Sequence, residues 1–145
     1  MCKYYLNASH SFQGNKETAH SHTFTIVLYV GIRNTDKDAD IGIVDRHMRR
    51  FLKRYEGNYL NELPEFSGKE ASLEDMGNLF YEAVKIQLRG TDFSLYQLDI
   101  SDNPLSVYQV ADRILIPTLN MGNSKNNYDA ILEQKRQRSR LQKRG

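Results

Sequence analysis

Along residues 3–12, KYYLNASHSF, polar and apolar positions alternate. Tyr4, Leu6, Ala8, His10 and Phe12 fall on one face and Tyr5, Asn7, Ser9 and Ser11 on the other, which is the period of a half-buried strand. QGNKETA, residues 13–19, breaks the alternation and reads as a loop. A second strand covers 21–33, SHTFTIVLYVGIR, with His22, Phe24, Ile26, Leu28, Val30 and Ile32 on one face. The polar stretch 34–40, NTDKDAD, is a connection. The period then lengthens. Val44, Met48, Phe51, Leu52 and Tyr55 follow helical spacing, predicting a helix that starts at Arg46 under an Asp45 cap and is stopped by Gly57. A loop runs to about Ala71. Ser72 and Asp75 give a capping-box-like start to a second helix with Met76, Leu79, Phe80, Ala83 and Val84 as its apolar face and Gly90 at its end. Strands return over 94–102, where Tyr96, Leu98 and Ile100 share a face with Asp102, and from about Leu105 to Leu115. The order strand, strand, helix, helix, strand, strand predicts an α+β fold: a four-stranded antiparallel sheet with a helix pair on one face. The sequence contains no internal repeat.

Composition adds bounds. The chain has 145 residues, the size of one domain, and 39% of them are hydrophobic, enough for a core. No apolar run approaches the roughly 20 residues that span a bilayer. The start, MCKYYLNASH, lacks an apolar signal region, so export is not expected. One cysteine, Cys2, rules out an internal disulfide and fits a cytoplasmic setting. The net charge of +2 is unevenly spread. Residues 116–145 carry seven basic and two acidic side chains, so the rest of the chain is acidic overall. Residues 1–116 are expected to form the domain. Residues 117–145 are expected to form a linker and a basic tail, with a helix-compatible text over NYDAILEQKRQRSRLQKRG.

Candidate chemistry lies at the start of the second strand. His20 and His22 are two residues apart, so both imidazoles leave the same face, the apolar one continued by Phe24 and Ile26. His10 lies on the apolar face of the first strand. Two neighbouring strands thus aim three imidazoles at one region. Three neutral imidazoles suit zinc, and three protein ligands leave a fourth position open. The alternative is three satisfied core histidines.

The sequence resembles the 6-pyruvoyl and 6-carboxytetrahydropterin synthase family. The matching text is ASH at 8–10, HSH at 20–22 for the family's HGH, GIVD at 42–45 and YLNEL at 59–63. ASLEDMG at 71–77 stands at the family's PTxExxA-like helix start, and LDISD at 98–102 where its strand ends in Glu-Thr. The likeness covers roughly residues 3–115. It implies the tunnelling fold, in which subunits join their sheets into a barrel, commonly as trimers that pair into hexamers, with sites between subunits. It implies zinc on His10, His20 and His22, and a pterin ring held by a carboxylate, here Asp102. It adds Ser72, at the family's helix start, to the ligand-binding set.

The chain also departs from that pattern. The family's lyase chemistry uses a cysteine shortly before its HGH, where this chain has Gly14, Asn15, Lys16, Glu17, Thr18 and Ala19. Cys2 lies eight residues from His10, roughly 26 Å along a strand, so it cannot substitute within its own subunit; only a neighbouring subunit could bring it closer. The family's Asp-His pair before its YLN-like segment is replaced by Glu56 and Gly57, and glycine cannot move protons. Asp102 either anchors a ring through adjacent N–H groups or opens a turn with Asn103 and Pro104. Lys16 is either a loop residue or a cation beside a ligand phosphate. His47 and the Arg46, Arg49, Arg50, Lys53 and Arg54 run read as the wet face of the first helix. The tail is either solvated or meets an anion, with Arg136, Arg138 and Arg140 as phosphate forks.

The expectation is a zinc-holding homo-oligomer that binds a pterin- or guanine-like ring, including a guanine nucleotide, as a non-catalytic sensor or regulator. The rival is an active zinc-dependent lyase on dihydroneopterin triphosphate, with Glu56, Glu17 or Asp102 moving protons. A purely structural metal site is a third reading.

Overall fold

A computed structural model describes residues 1–11, 15–33 and 38–112. The predicted Phe12 position, the end of the fourth strand and the basic tail lie outside them. Four strands form one antiparallel sheet: β1 (Cys2–His10), β2 (His20–Ile32), β3 (Phe93–Asn103) and β4 (Ser106–Ala111), in the spatial order β1-β2-β3-β4. Between β2 and β3 the chain forms α1 (Gly42–Lys53) and α2 (Leu73–Gln87). Short 3-10 turns at Leu60–Glu62 and Pro64–Phe66 occupy the connection read as loop.

Both helices press their apolar faces on the same side of the sheet. Val44, Met48, Phe51 and Leu52 of α1 and Met76, Phe80 and Val84 of α2 share one buried cluster with Leu6, Phe24, Ile26, Leu28, Leu98 and Ile100. Alternation puts those strand residues on one face, and removing that surface from water is the main driving force for the arrangement.

Three local expectations are corrected. α1 starts at Gly42, not Arg46, and Asp45 lies in its first turn rather than at its cap. The cap position is Ile41, which makes no side-chain cap bond; the Asp40 carboxylate just before it accepts from the Gly42 N–H at 2.9 Å, and Asp45 accepts from the Tyr4 hydroxyl. α1 ends at Lys53, before Gly57, which adopts φ +72° beyond the turn. Tyr96 does not share a face with Leu98. Tyr29 pairs with Gln97 and Val30 with Leu95, so β3 carries one extra residue there. That bulge inverts the alternation: Phe93 and Leu95 are buried before it, Leu98 and Ile100 after it, and Tyr96 faces outward, 46% exposed.

The predicted capping box is present. Ser72 Oγ accepts from the Asp75 N–H at 3.1 Å, and Asp75 Oδ2 accepts from the Ser72 N–H at 3.4 Å.

Candidate functional site

β1 ends and β2 begins side by side, with His10 opposite His20 and Ala8 opposite His22. This register brings the three imidazoles together. Ring centroids lie 4.6 Å apart for His10–His20 and for His20–His22, and 5.2 Å apart for His10–His22. Phe24, next on the same face, meets the edges of His10 and His22 at 5.5 and 5.7 Å. One ligand nitrogen from each histidine lies within 4.8 Å of the others. Tetrahedral ligands at about 2.0–2.1 Å from an ion are roughly 3.3 Å apart, so small side-chain rotations close the set.

Tautomers are set by the backbone. His10 Nδ1 donates to the Ala71 carbonyl at 2.8 Å, and His20 Nδ1 donates to the Thr18 carbonyl at 2.9 Å. A proton held on Nδ1 leaves Nε2 with its lone pair for a metal. Burial is the main effect holding the His10 pKa below the ordinary histidine value, and the neighbouring His20 and His22 push the same way; the Ala71 hydrogen bond and the Asp102 carboxylate oppose them. A neutral imidazole, only 4% exposed, is the form that ligates. The donor set therefore fits a divalent metal.

Ala71 has φ +53°, the left-handed region, without being glycine, and it is fully buried. Such a backbone state persists only where the surroundings impose it. Here it directs a carbonyl at His10. Nothing in the identity of Ala71 signals this, beyond its place just before the helix cap.

The other candidates are placed as follows. Asp102 lies at a second irregularity of β3: Ser101 pairs with Val107 and Asn103 with Ser106, so Asp102 is the extra residue. Its carboxylate accepts from Asn103 Nδ2 at 2.7 Å and is near enough to His10 to act on its charge. Ser72 has its hydroxyl engaged at the α2 cap. Lys16 forms an exposed ion pair with Glu62 at 3.0 Å, beside a groove of about 490 Å³ lined by Tyr59, Asn61 and Lys69 among others. Cys2 pairs with Leu28 at the opposite end of β1 from His10. Glu56 accepts from the Asn7 backbone and side chain at 3.1 and 3.0 Å. Arg136, Arg138 and Arg140 lie outside the described residues.

A small α+β domain with helices on one sheet face and three histidines at a strand junction is the tunnelling-fold class. The family profile described as 6-pyruvoyl tetrahydropterin synthase matches residues 2–113, and the chain belongs to that family. A solved structure of 6-pyruvoyl tetrahydropterin synthase from Caenorhabditis elegans is similar in fold, with a TM-score of 0.64 at 16% sequence identity. That likeness covers 76% of this chain and 91% of that one. A search of curated proteins gives no significant match.

Proposed function

We propose that this protein holds zinc with His10, His20 and His22, binds a pterin- or guanine-type ring at Asp102, and acts as a sensor or regulator rather than as a lyase. The observation that carries the reading is the convergence of three imidazoles, two with Nδ1 tied to backbone carbonyls. A bound zinc would keep one coordination position for water or a ligand oxygen and lower that group's pKa. Asp102 would accept paired N–H bonds from the amino-keto edge that pterin and guanine share. Arg136, Arg138 and Arg140 would meet the phosphates of a nucleotide.

The non-catalytic part rests on what surrounds the histidines. Glu56 is engaged by Asn7, Gly57 has no side chain, and the chain's one thiol sits at the far end of β1. None of these offers the acid–base pair that the family's lyase chemistry uses.

The test combines metal analysis, calorimetry and product analysis. About one zinc per chain is expected in the wild type, with loss in His20→Ala and His22→Ala; equal content in all three would overturn the metal assignment. Guanine nucleotides should bind better than adenine nucleotides, and Asp102→Ala should reduce that preference at a cost of about 2–4 kcal/mol, because the ring's donors lose a charged partner that ring binding would shield from water. Turnover of dihydroneopterin triphosphate at about 1 per second or faster would replace the regulatory reading with the lyase.

A further inference from the structure

The YLNEL segment at 59–63 belongs to the family resemblance and lines the groove beside Lys16, which the three histidines do not line. Its geometry also gives it a part in the histidine site. Tyr59 forms a parallel bridge with Ser9, and the Ser9 N–H donates to the Asn58 carbonyl at 3.0 Å, so the segment runs alongside the end of β1. Beyond it, the Asn61 side chain makes three hydrogen bonds. Its Oδ1 accepts from the Ser11 N–H at 2.9 Å, and its Nδ2 donates to the Ser11 carbonyl at 3.1 Å and the Glu70 carbonyl at 3.2 Å. The Tyr59 hydroxyl also bonds the Ser11 hydroxyl.

Ser11 directly follows His10, and Glu70 directly precedes Ala71. One amide therefore ties together the residues that adjoin the two ends of the His10 Nδ1–Ala71 carbonyl bond. Ala71 is held in its left-handed state from both sides, by Asn61 through Glu70 and by the α2 capping box through Ser72. The role demands an acceptor and two donors on one short neutral side chain, which asparagine supplies and aspartate does not.

We propose that Asn61 is a positioning residue for the three-histidine centre. It clamps the end of β1 to the 70–71 loop, so that the Ala71 carbonyl keeps the His10 proton on Nδ1 and presents Nε2 to the metal. This rests on the metal reading above, and the experiment separates the two. Histidine ring nitrogens are read by long-range proton–nitrogen correlation spectra of the metal-free full chain, and zinc affinity by competition with a chelator. In the wild type His10 should be a single Nδ1–H tautomer. Asn61→Asp keeps the acceptor for the Ser11 N–H, loses both donors and sets a charge against two carbonyls. Asn61→Asp and Asn61→Ala should each mix the His10 tautomers and weaken zinc binding about 10–100-fold, the range for lost ligand-orienting contacts. Tyr59→Phe, which removes only the Ser11 hydroxyl contact, should act in the same direction by a few-fold and remains usable if the Asn61 variants do not fold. Val84→Ala, a core truncation roughly 20 Å along α2 from Ala71, should lower stability and leave tautomer and affinity unchanged. Wild-type tautomer and affinity in the variants, or losses no larger than in Val84→Ala, would overturn the positioning role. A wild type that binds no zinc would instead defeat the metal reading, and the His10 tautomer alone would then decide the role of Asn61.

Discussion

At the scale of single residues, a neighbour that fixes a protonation state, as the Ala71 carbonyl does for His10, recurs between side chains where charges meet. Arg54 and Glu65 pair through two contacts, at 2.9 and 2.5 Å. The Arg54 hydrogen bonds draw the Glu65 carboxyl down from its ordinary 4.5 to about 2, against a smaller opposing effect of burial. A carboxyl with a depressed folded-state pKa contributes stability that is present above its unfolded value and is lost as the pH falls through the folded one. Glu65→Gln should therefore lower the unfolding free energy at pH 6, and the gap to wild type should close between about pH 4.5 and pH 2. Urea unfolding at pH 6 and pH 3 checks this; a gap that widens on acidification would defeat it. The pair is partly exposed, with 55% of the Arg54 side chain and 22% of that of Glu65 accessible, so salt should reduce the pH 6 effect. The histidine cluster was legible in the sequence because alternation puts His20 with His22, and His10, on the apolar faces of two consecutive strands, which antiparallel pairing then brings side by side. The Ala71 carbonyl was not, since a main-chain acceptor leaves no mark in side-chain identity.

At the scale of elements, β2 and both helices could be read because each carries its period over a dozen residues or so. β3 could be read only up to its face assignment. The extra residue at Tyr96 inverts the alternation, and a bulge is set by pairing with a distant strand, which a local period cannot register. The seam between α2 and the sheet has a similar cause. At Gly77 a Cβ would lie 2.5 Å from Tyr108 Cδ1 and 3.2 Å from Ile100 Cγ2, so the bare backbone lets α2 approach β3 and β4. Gly77→Ala should gain about 1 kcal/mol of helix propensity and lose about 2 kcal/mol to overpacking, for a net destabilisation of about 1 kcal/mol. The Tyr108 hydroxyl also donates to Asn78 Oδ1 at 2.9 Å, which resists the ring shift that would relieve the clash. A thermal midpoint raised by Gly77→Ala would show that the ring gives way freely.

At the scale of the whole molecule, the sheet is open at β1 and β4 among the described residues. Part of the β1 edge is covered: the Asn7 carbonyl accepts from the Gly57 N–H at 2.7 Å, the Asn7 N–H donates to Glu56, and the Ser9 N–H donates to Asn58. These contacts show that odd-numbered residues of β1 turn their backbone groups away from β2. By the same alternation, Lys3 and Tyr5 turn theirs outward in the uncovered half. Tyr5 is also 61% exposed, as is 58% of Leu105 beside β4. An open edge with an exposed aromatic is a template for strand pairing with another chain. Self-association through this edge is expected, giving a species larger than a monomer by sedimentation equilibrium at micromolar concentration. Tyr5→Pro tests the edge directly. Proline removes an N–H that makes no bond within the sheet, so the monomer should tolerate it at an edge position, while a neighbouring strand would lose a ladder bond and meet the ring. Dissociation with the circular dichroism of the fold retained is the expected result. An unchanged oligomer would place the contact elsewhere, and a wild-type monomer at all concentrations would defeat the expectation of edge pairing.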